Sequence, residues 1–123
     1  KVKAYHLSLS TRTFKVNAPH YHKLACLYAL HHPQPRASDG SNVRVGSLDD
    51  FVFCVLARYM AVGGGGGGGG YQASVPSAVF GVLEEEFAVR FECFASPLNA
   101  QYARYCSAFP DVESVFGSAG SFF

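Results

Sequence analysis

The 123 residues contain no tryptophan and a single methionine, and their four cysteines form no C-x-x-C pair. Cys26, Cys54, Cys93 and Cys106 are widely spaced in apolar surroundings. That excludes a spaced zinc site and reads as reduced core thiols of an intracellular protein rather than a disulfide frame. No apolar run is long enough to cross a bilayer, since the longest, Phe51 to Val62, is broken by Arg58. No secretory leader pattern is visible, although the chain begins at Lys1 rather than Met. Glycine is the opposite case, with eight in succession from Gly63 to Gly70. No Gly-Lys-Ser/Thr follows them and no strand precedes them, which excludes a phosphate-cradling loop. The run reads as a flexible tether reaching roughly 16 Å, whose first glycine ends a helix in the left-handed region.

A content of 49% hydrophobic and 15% aromatic residues is ample for the core of one domain. The net charge of +1 hides an asymmetry. Residues 1–62 carry eight Lys/Arg against three Asp, whereas residues 71–123 carry two Arg against six Asp/Glu, and all five His lie in the first 32 residues. A basic half joined to an acidic half fits a nucleic-acid or phosphate partner held by the first half; two solvated faces that merely differ give the same counts. The His20/His22 and His31/His32 pairs have the wrong helical spacing for a shared metal, so none is expected.

Along the chain, Tyr5–Leu9 and Phe14–Val16 alternate and predict a hairpin or two short strands. Asn17 as N-cap and Pro19 close behind predict a helix over 18–31 with Tyr21, Leu24, Leu27 and Tyr28 on its stripe. A Pro/Gly/Ser-rich loop follows. Ser47 and Asp50 then form a capping box for a helix over 48–62, whose apolar residues cover more than half its circumference and predict packing on two sides. Pro76 opens a third helix. Its acidic triplet Glu84–Glu86 opposes the helix dipole unless a basic neighbour relieves it.

The most informative stretch is Phe91–Asn99. Val89, Phe91, Cys93 and Ala95 alternate with Arg90, Glu92 and Phe94, which predicts a strand over 89–95. Ser96 as N-cap and Pro97 at the first helical position predict a helix over 97–109, ended by Pro110-Asp111 and followed by a loop-like tail. A strand feeding a helix N-terminus sets backbone donors at the carboxyl edge of a sheet, where α/β proteins hold nucleotide-like ligands; an ordinary βα unit has the same pattern.

Phe91-Glu92-Cys93-Phe94-Ala95-Ser96-Pro97-Leu98-Asn99, with Tyr105-Cys106-Ser107-Ala108-Phe109-Pro110-Asp111 and Phe116-Gly117-Ser118, resembles the phosphorylated CTD-interacting factor family of cap-specific adenosine N6-methyltransferases. The resemblance continues more weakly from about Phe14. It implies an α/β fold in which a helical region leads into the start of a Rossmann-like S-adenosylmethionine-dependent methyltransferase sheet. On that reading, residues 1–62 are a basic helical region with short strands, 63–70 the tether, and 71–123 the first helix-strand-helix unit. The turn after the first strand lies beside the methionine part of the cofactor, which makes Ala95, Ser96, Pro97 and Asn99 the cofactor-binding candidates. Ser96 or Asn99 would donate to its carboxylate; alternatively Ser96 only caps and Asn99 faces solvent.

Arg12, Lys15, Lys23, Arg36 and Arg44 are the candidates for contacting capped mRNA, and the phosphorylated C-terminal tail of RNA polymerase II is a second expected partner. The resemblance also implies a nuclear protein. The family's Asn-Pro-Pro-Phe catalytic signature does not occur here, so no residue is assigned a catalytic role. That motif is expected beyond Phe123, in a longer protein from which both ends read as cut. A WW module, built around tryptophan, is not expected in these residues. A non-catalytic docking protein is the rival reading.

Overall fold

The computed structural model describes residues 3–32, 46–63 and 74–122. An antiparallel hairpin opens it, β1 (Ala4–Leu9) against β2 (Arg12–Asn17), with Tyr5 opposite Val16 and Leu7 opposite Phe14. That shared face is the apolar one. Leu7 and Val16 are buried, Tyr5 stacks on Tyr21 at 4.2 Å and Phe14 meets Phe53 at 4.9 Å.

Two helices cover this face, with the bounds their caps dictate. Asn17 Oδ1 accepts from the His20 N–H at 2.9 Å and starts α1 (Ala18–His31). Ser47 and Asp50 exchange their capping-box bonds and start α2 (Leu48–Val62). Leu24 and Leu27 of α1 and Val52 and Val55 of α2 complete the core with Leu7, Val16 and Phe116. Phe116 comes from the acidic part of the sequence, so one core joins both parts. Gly63 caps α2 at φ −74°, ψ 1°, not in the left-handed region, because its N–H reaches Tyr59 O at 2.9 Å without that twist. Residues 64–70, the rest of the tether, lie outside the described residues.

Helix α3 (Ser77–Phe87) ends on Ala88 at φ 54°, with the Ala88 and Val89 N–H groups returned to the carbonyls of Glu84 and Leu83. Arg90 Nε lies 3.3 Å from Glu84 and is the basic neighbour that offsets the acidic C-terminus.

Beyond α3 the chain departs from the sequence reading. The strand expected over 89–95 shrinks to one parallel bridge, Glu92 to Tyr105, with the Ala95 N–H donating to Cys106 O at 3.1 Å. Among the described residues that segment has a partner on one side only, and Phe91 and Phe94 stay exposed. The helix expected over 97–109 is a single turn, after which β3 (Tyr105–Ser107) begins. Pro110 starts a helix rather than ending one: α4 (Pro110–Glu113) runs into a 3-10 turn, Ser114–Phe116. The tail is a strand, β4 (Ser118–Ser121), parallel to β3. Gly117, at φ 104°, makes the bend between them; a Cβ there would stand 2.3 Å from Ala103 O and 2.8 Å from His31 Nε2.

The fold is therefore mixed α/β, and its described strands form two two-stranded sheets, one antiparallel and one parallel. Helix α2 packs on the hairpin, on α1 and on α4, as its wide apolar face requires. The cysteine expectation needs correction. Cys26, Cys54 and Cys93 are exposed and Cys106 is half-buried, because the inward positions are taken by Leu24, Leu27, Val52 and Val55.

Candidate functional site

Ser96 closes its single turn with a reciprocal cap. Its Oγ accepts from the N–H groups of Leu98 and Asn99 at 3.2 and 3.4 Å, while Asn99 Oδ1 accepts from the Ser96 N–H at 2.7 Å. The Ala100 N–H reaches Ser96 O at 2.9 Å, a helical bond that completes the turn.

Two side chains intercept the bonds that would have prolonged it. Lys23 Nζ donates to the carbonyls of Leu98, at 3.2 Å, and Ala100. Glu92 Oε2 accepts from the N–H groups of Gln101, at 2.7 Å, and Tyr102, at 2.9 Å. Acceptors and donors due to pair along a helix are satisfied by tertiary partners instead, so the chain is released toward β3. Burial holds the Lys23 ammonium below its ordinary pKa, with Glu92 pulling the other way.

The four cofactor-side candidates separate by depth. Ser96 and Pro97 are buried and form the floor of the turn, and Ala95 is half-buried and bonded to β3. Asn99 reaches a cleft of about 340 Å³ between the turn and the start of α1, lined by Pro19, His20, Lys23, Ser74, Leu98, Asn99 and Gln101. This places Asn99 and Lys23, singled out for different reasons, in one site. The lining carries an ammonium, an imidazole, a hydroxyl and two carboxamides but no carboxylate among the described residues, and the first turn of α1 carries no acid. The Glu92 carboxylate stands behind this wall, on the Gln101 N–H, and acts on the same Lys23 ammonium. A cleft of about 420 Å³ between β1 and α2, lined in part by His6, Asp49, Asp50 and Cys54, contains none of the sequence candidates.

Of the RNA-side candidates, Arg12 and Lys15 are exposed on β2, where alternation puts them on opposite faces. Lys23 is bound to the turn's carbonyls, and Arg36 and Arg44 lie outside the described residues. Sequence reasoning missed Glu92, Gln101 and His20 as parts of the site. In the sequence Glu92 stands out as an alternating strand position and a member of the Phe91–Asn99 run, and His20 as half of a rejected metal pair and a residue of the weaker resemblance, neither as a wall of this cleft. Among the described residues no group of three or more His, Cys, Asp or Glu is placed to hold a metal, and no helix is long and apolar enough to cross a membrane.

Fold and site together define a mixed α/β protein with a polar, lysine-bearing cleft beside a capped turn. The family model described as the phosphorylated CTD interacting factor 1 WW domain matches residues 23–123, and the chain belongs to the phosphorylated CTD interacting factor 1 family. It is 52% identical over 71 residues to the human mRNA (2'-O-methyladenosine-N(6)-)-methyltransferase and 51% identical over 71 residues to the protein of the same name in Mus musculus. Each match covers 56% of this chain and 10% of the relative, so the matched part spans about a tenth of those proteins' length. The matching model's description names a WW domain, against the expectation that no such module lies here. The matched residues contain no tryptophan, and their described strands pair in parallel.

Proposed function

We propose that this chain supplies the cofactor-side surface of an enzyme that moves a methyl group from S-adenosylmethionine to N6 of the 2'-O-methyladenosine beside an mRNA cap. The observation that carries this reading is the 52% identity over 71 residues to the human methyltransferase of that name. The cleft's donor set suits the carboxylate end of S-adenosylmethionine; bound, that cofactor would supply the electrophilic methyl group. Asn99 carries amide donors at the cleft wall, and Lys23 uses two of its three donors on the turn and directs positive charge into the same space. Ser96 and Pro97 would act from beneath, fixing the turn, while Ala95 ties it to β3.

The parallel arrangement of Glu92, β3 and β4 is compatible with the opening of a Rossmann-like sheet. Arg12 and Lys15 are the residues we assign to the phosphates of capped mRNA, and the site of action to the nucleus. No residue here is assigned to the target amine, so the 123 residues alone should not turn over. A second reading, a docking protein for the phosphorylated tail of RNA polymerase II, is favoured by the description of the matching family.

The test is methyl transfer from labelled S-adenosylmethionine to capped RNA beginning with 2'-O-methyladenosine, using the full-length protein that carries these residues. Transfer to N6 supports the enzyme. Absence of transfer, with retained binding to a phosphorylated polymerase-tail peptide, supports the docking protein.

A further inference from the structure

Helix α3 adds nothing to the core. Its residues are mostly apolar up to Leu83, yet none of them is buried, whereas α1 buries Leu24 and Leu27 and α2 buries Val52 and Val55. It is attached along one side. Phe80 and Leu83, three residues apart, are half-buried; the Phe80 and Tyr102 rings meet edge to face with centroids 5.4 Å apart, and the Tyr102 hydroxyl donates to Phe80 O at 3.0 Å. The other side is bare. Val79 and Val82 are 44% and 54% exposed, and Val75, just ahead of the helix, is 51% exposed. Val79, Val82 and Glu86 follow one another by steps of three and four residues, the spacing of a single helix face and of a coiled-coil seam.

Charge selects what covers this face. Glu85, beside the acidic end of the seam, is exposed like Glu86, and among the described residues neither has an ion pair, since Arg90 is taken by Glu84 at 3.3 Å. The carboxyl end of the helix dipole adds negative character at the same place. An RNA strand or an anionic lipid surface would be repelled there. A second copy of the chain fits no better. Laid parallel, two α3 helices would set Glu85 and Glu86 against their own kind; laid antiparallel, they would cover Glu86 with valine and supply no cation. The complement of this face is apolar along the seam and basic at one end.

We propose that the Val79, Val82 and Glu86 face of α3 docks an amphipathic helix of a separate protein, one with aliphatic residues at three- and four-residue spacing and lysine or arginine opposite Glu85 and Glu86. The valines take the aliphatic residues out of water, and the two acids fix the register and the direction of the incoming helix. This surface does not depend on which ligand the cleft beside the Ser96 turn takes.

The experiment measures the binding of two labelled synthetic peptides to the full-length protein by fluorescence anisotropy. Each peptide is about three heptads long with leucine along its seam; one carries lysine at the flanking positions and the other glutamate. The lysine peptide should bind at least about tenfold more tightly than the glutamate peptide, and Glu85→Lys with Glu86→Lys should invert that preference. Val79→Ser with Val82→Ser, both at exposed positions, should remove binding of the lysine peptide and leave thermal unfolding nearly unchanged. Equal affinity of the wild type for the two peptides, a comparison that needs no variant to fold, would overturn the proposal. So would failure of the lysine peptide to bind, whether a second copy covers the face, seen as a dimer in sedimentation, or another part of the full-length protein does, seen as a Val79→Cys thiol closed to reagent.

Discussion

Lys23 and Glu92 hold opposite polarities of the same short stretch of backbone. The ammonium takes the carbonyls of Leu98 and Ala100, and the carboxylate takes the N–H groups of Gln101 and Tyr102. Between them they replace a helix by a turn, and the shape of the cleft depends on both. Glu92→Ala strips two backbone donors of a charged acceptor and should cost about 2 kcal/mol in urea unfolding, with Lys23→Met costing a comparable amount. The double variant should fall short of the sum by about 1 kcal/mol, since the two act on one element. Strict additivity would show that they support separate structures.

Glu113 gives stability a pH dependence whose sign is fixed. Its pKa is raised in the folded chain from the ordinary 4.5 to about 7, so the native state binds the proton more tightly than the unfolded one. The contribution is intact below about pH 4.5 and is lost as pH rises through 7, reaching about 3 kcal/mol by pH 8. The wild type minus Glu113→Gln difference in unfolding free energy should therefore fall by roughly that amount from pH 4.5 to pH 8. A flat difference, or one that rises with pH, would mean an ionised Glu113.

Gly117 is required twice, by its φ of 104° and by the approach of Ala103 O and His31 to where a Cβ would stand. Gly117→Ala should cost about 3 kcal/mol, from backbone strain together with overpacking. The same change at Gly120, where φ is 144° but no described atom lies within 4 Å, should cost less. Thermal unfolding of the two variants makes the comparison.

For RNA, the geometry separates lysines that look alike in sequence. Lys15 is exposed on β2, whereas Lys23 is occupied by the Ser96 turn. Lys15→Ala in the full-length protein should lower the salt slope of capped-RNA binding by about 0.7, and Lys23→Ala should leave the slope unchanged. Equal effects would return Lys23 to the phosphate surface.

The parts of the fold legible in the sequence are those whose causes are local. The caps of α1 and α2 lie within three residues of the groups they satisfy, and the bounds of both helices could be read from Asn17 and Ser47. Ser96 is equally local, and its cap forms, but the length of the helix it starts is set by Lys23, 75 residues from Leu98. No period in residues 97–109 encodes that. Strand β4 is hidden for a related reason: Ser-Ala-Gly-Ser has no apolar alternation, and its pairing comes from backbone and from the Ser107–Ser118 hydroxyls. Glu113, one acid among several in sequence, becomes distinctive only through burial.

The most direct test of the central claim is the KM for S-adenosylmethionine of the full-length protein with Asn99→Asp. Aspartate keeps an Oδ1 that can accept from the Ser96 N–H, but places a negative charge where the cofactor's carboxylate is assigned. The account predicts a KM at least about tenfold higher, with kcat little changed in a protein that still folds, since removing uniform binding acts on KM alone. An unchanged KM in a folded, active Asn99→Asp protein would contradict it.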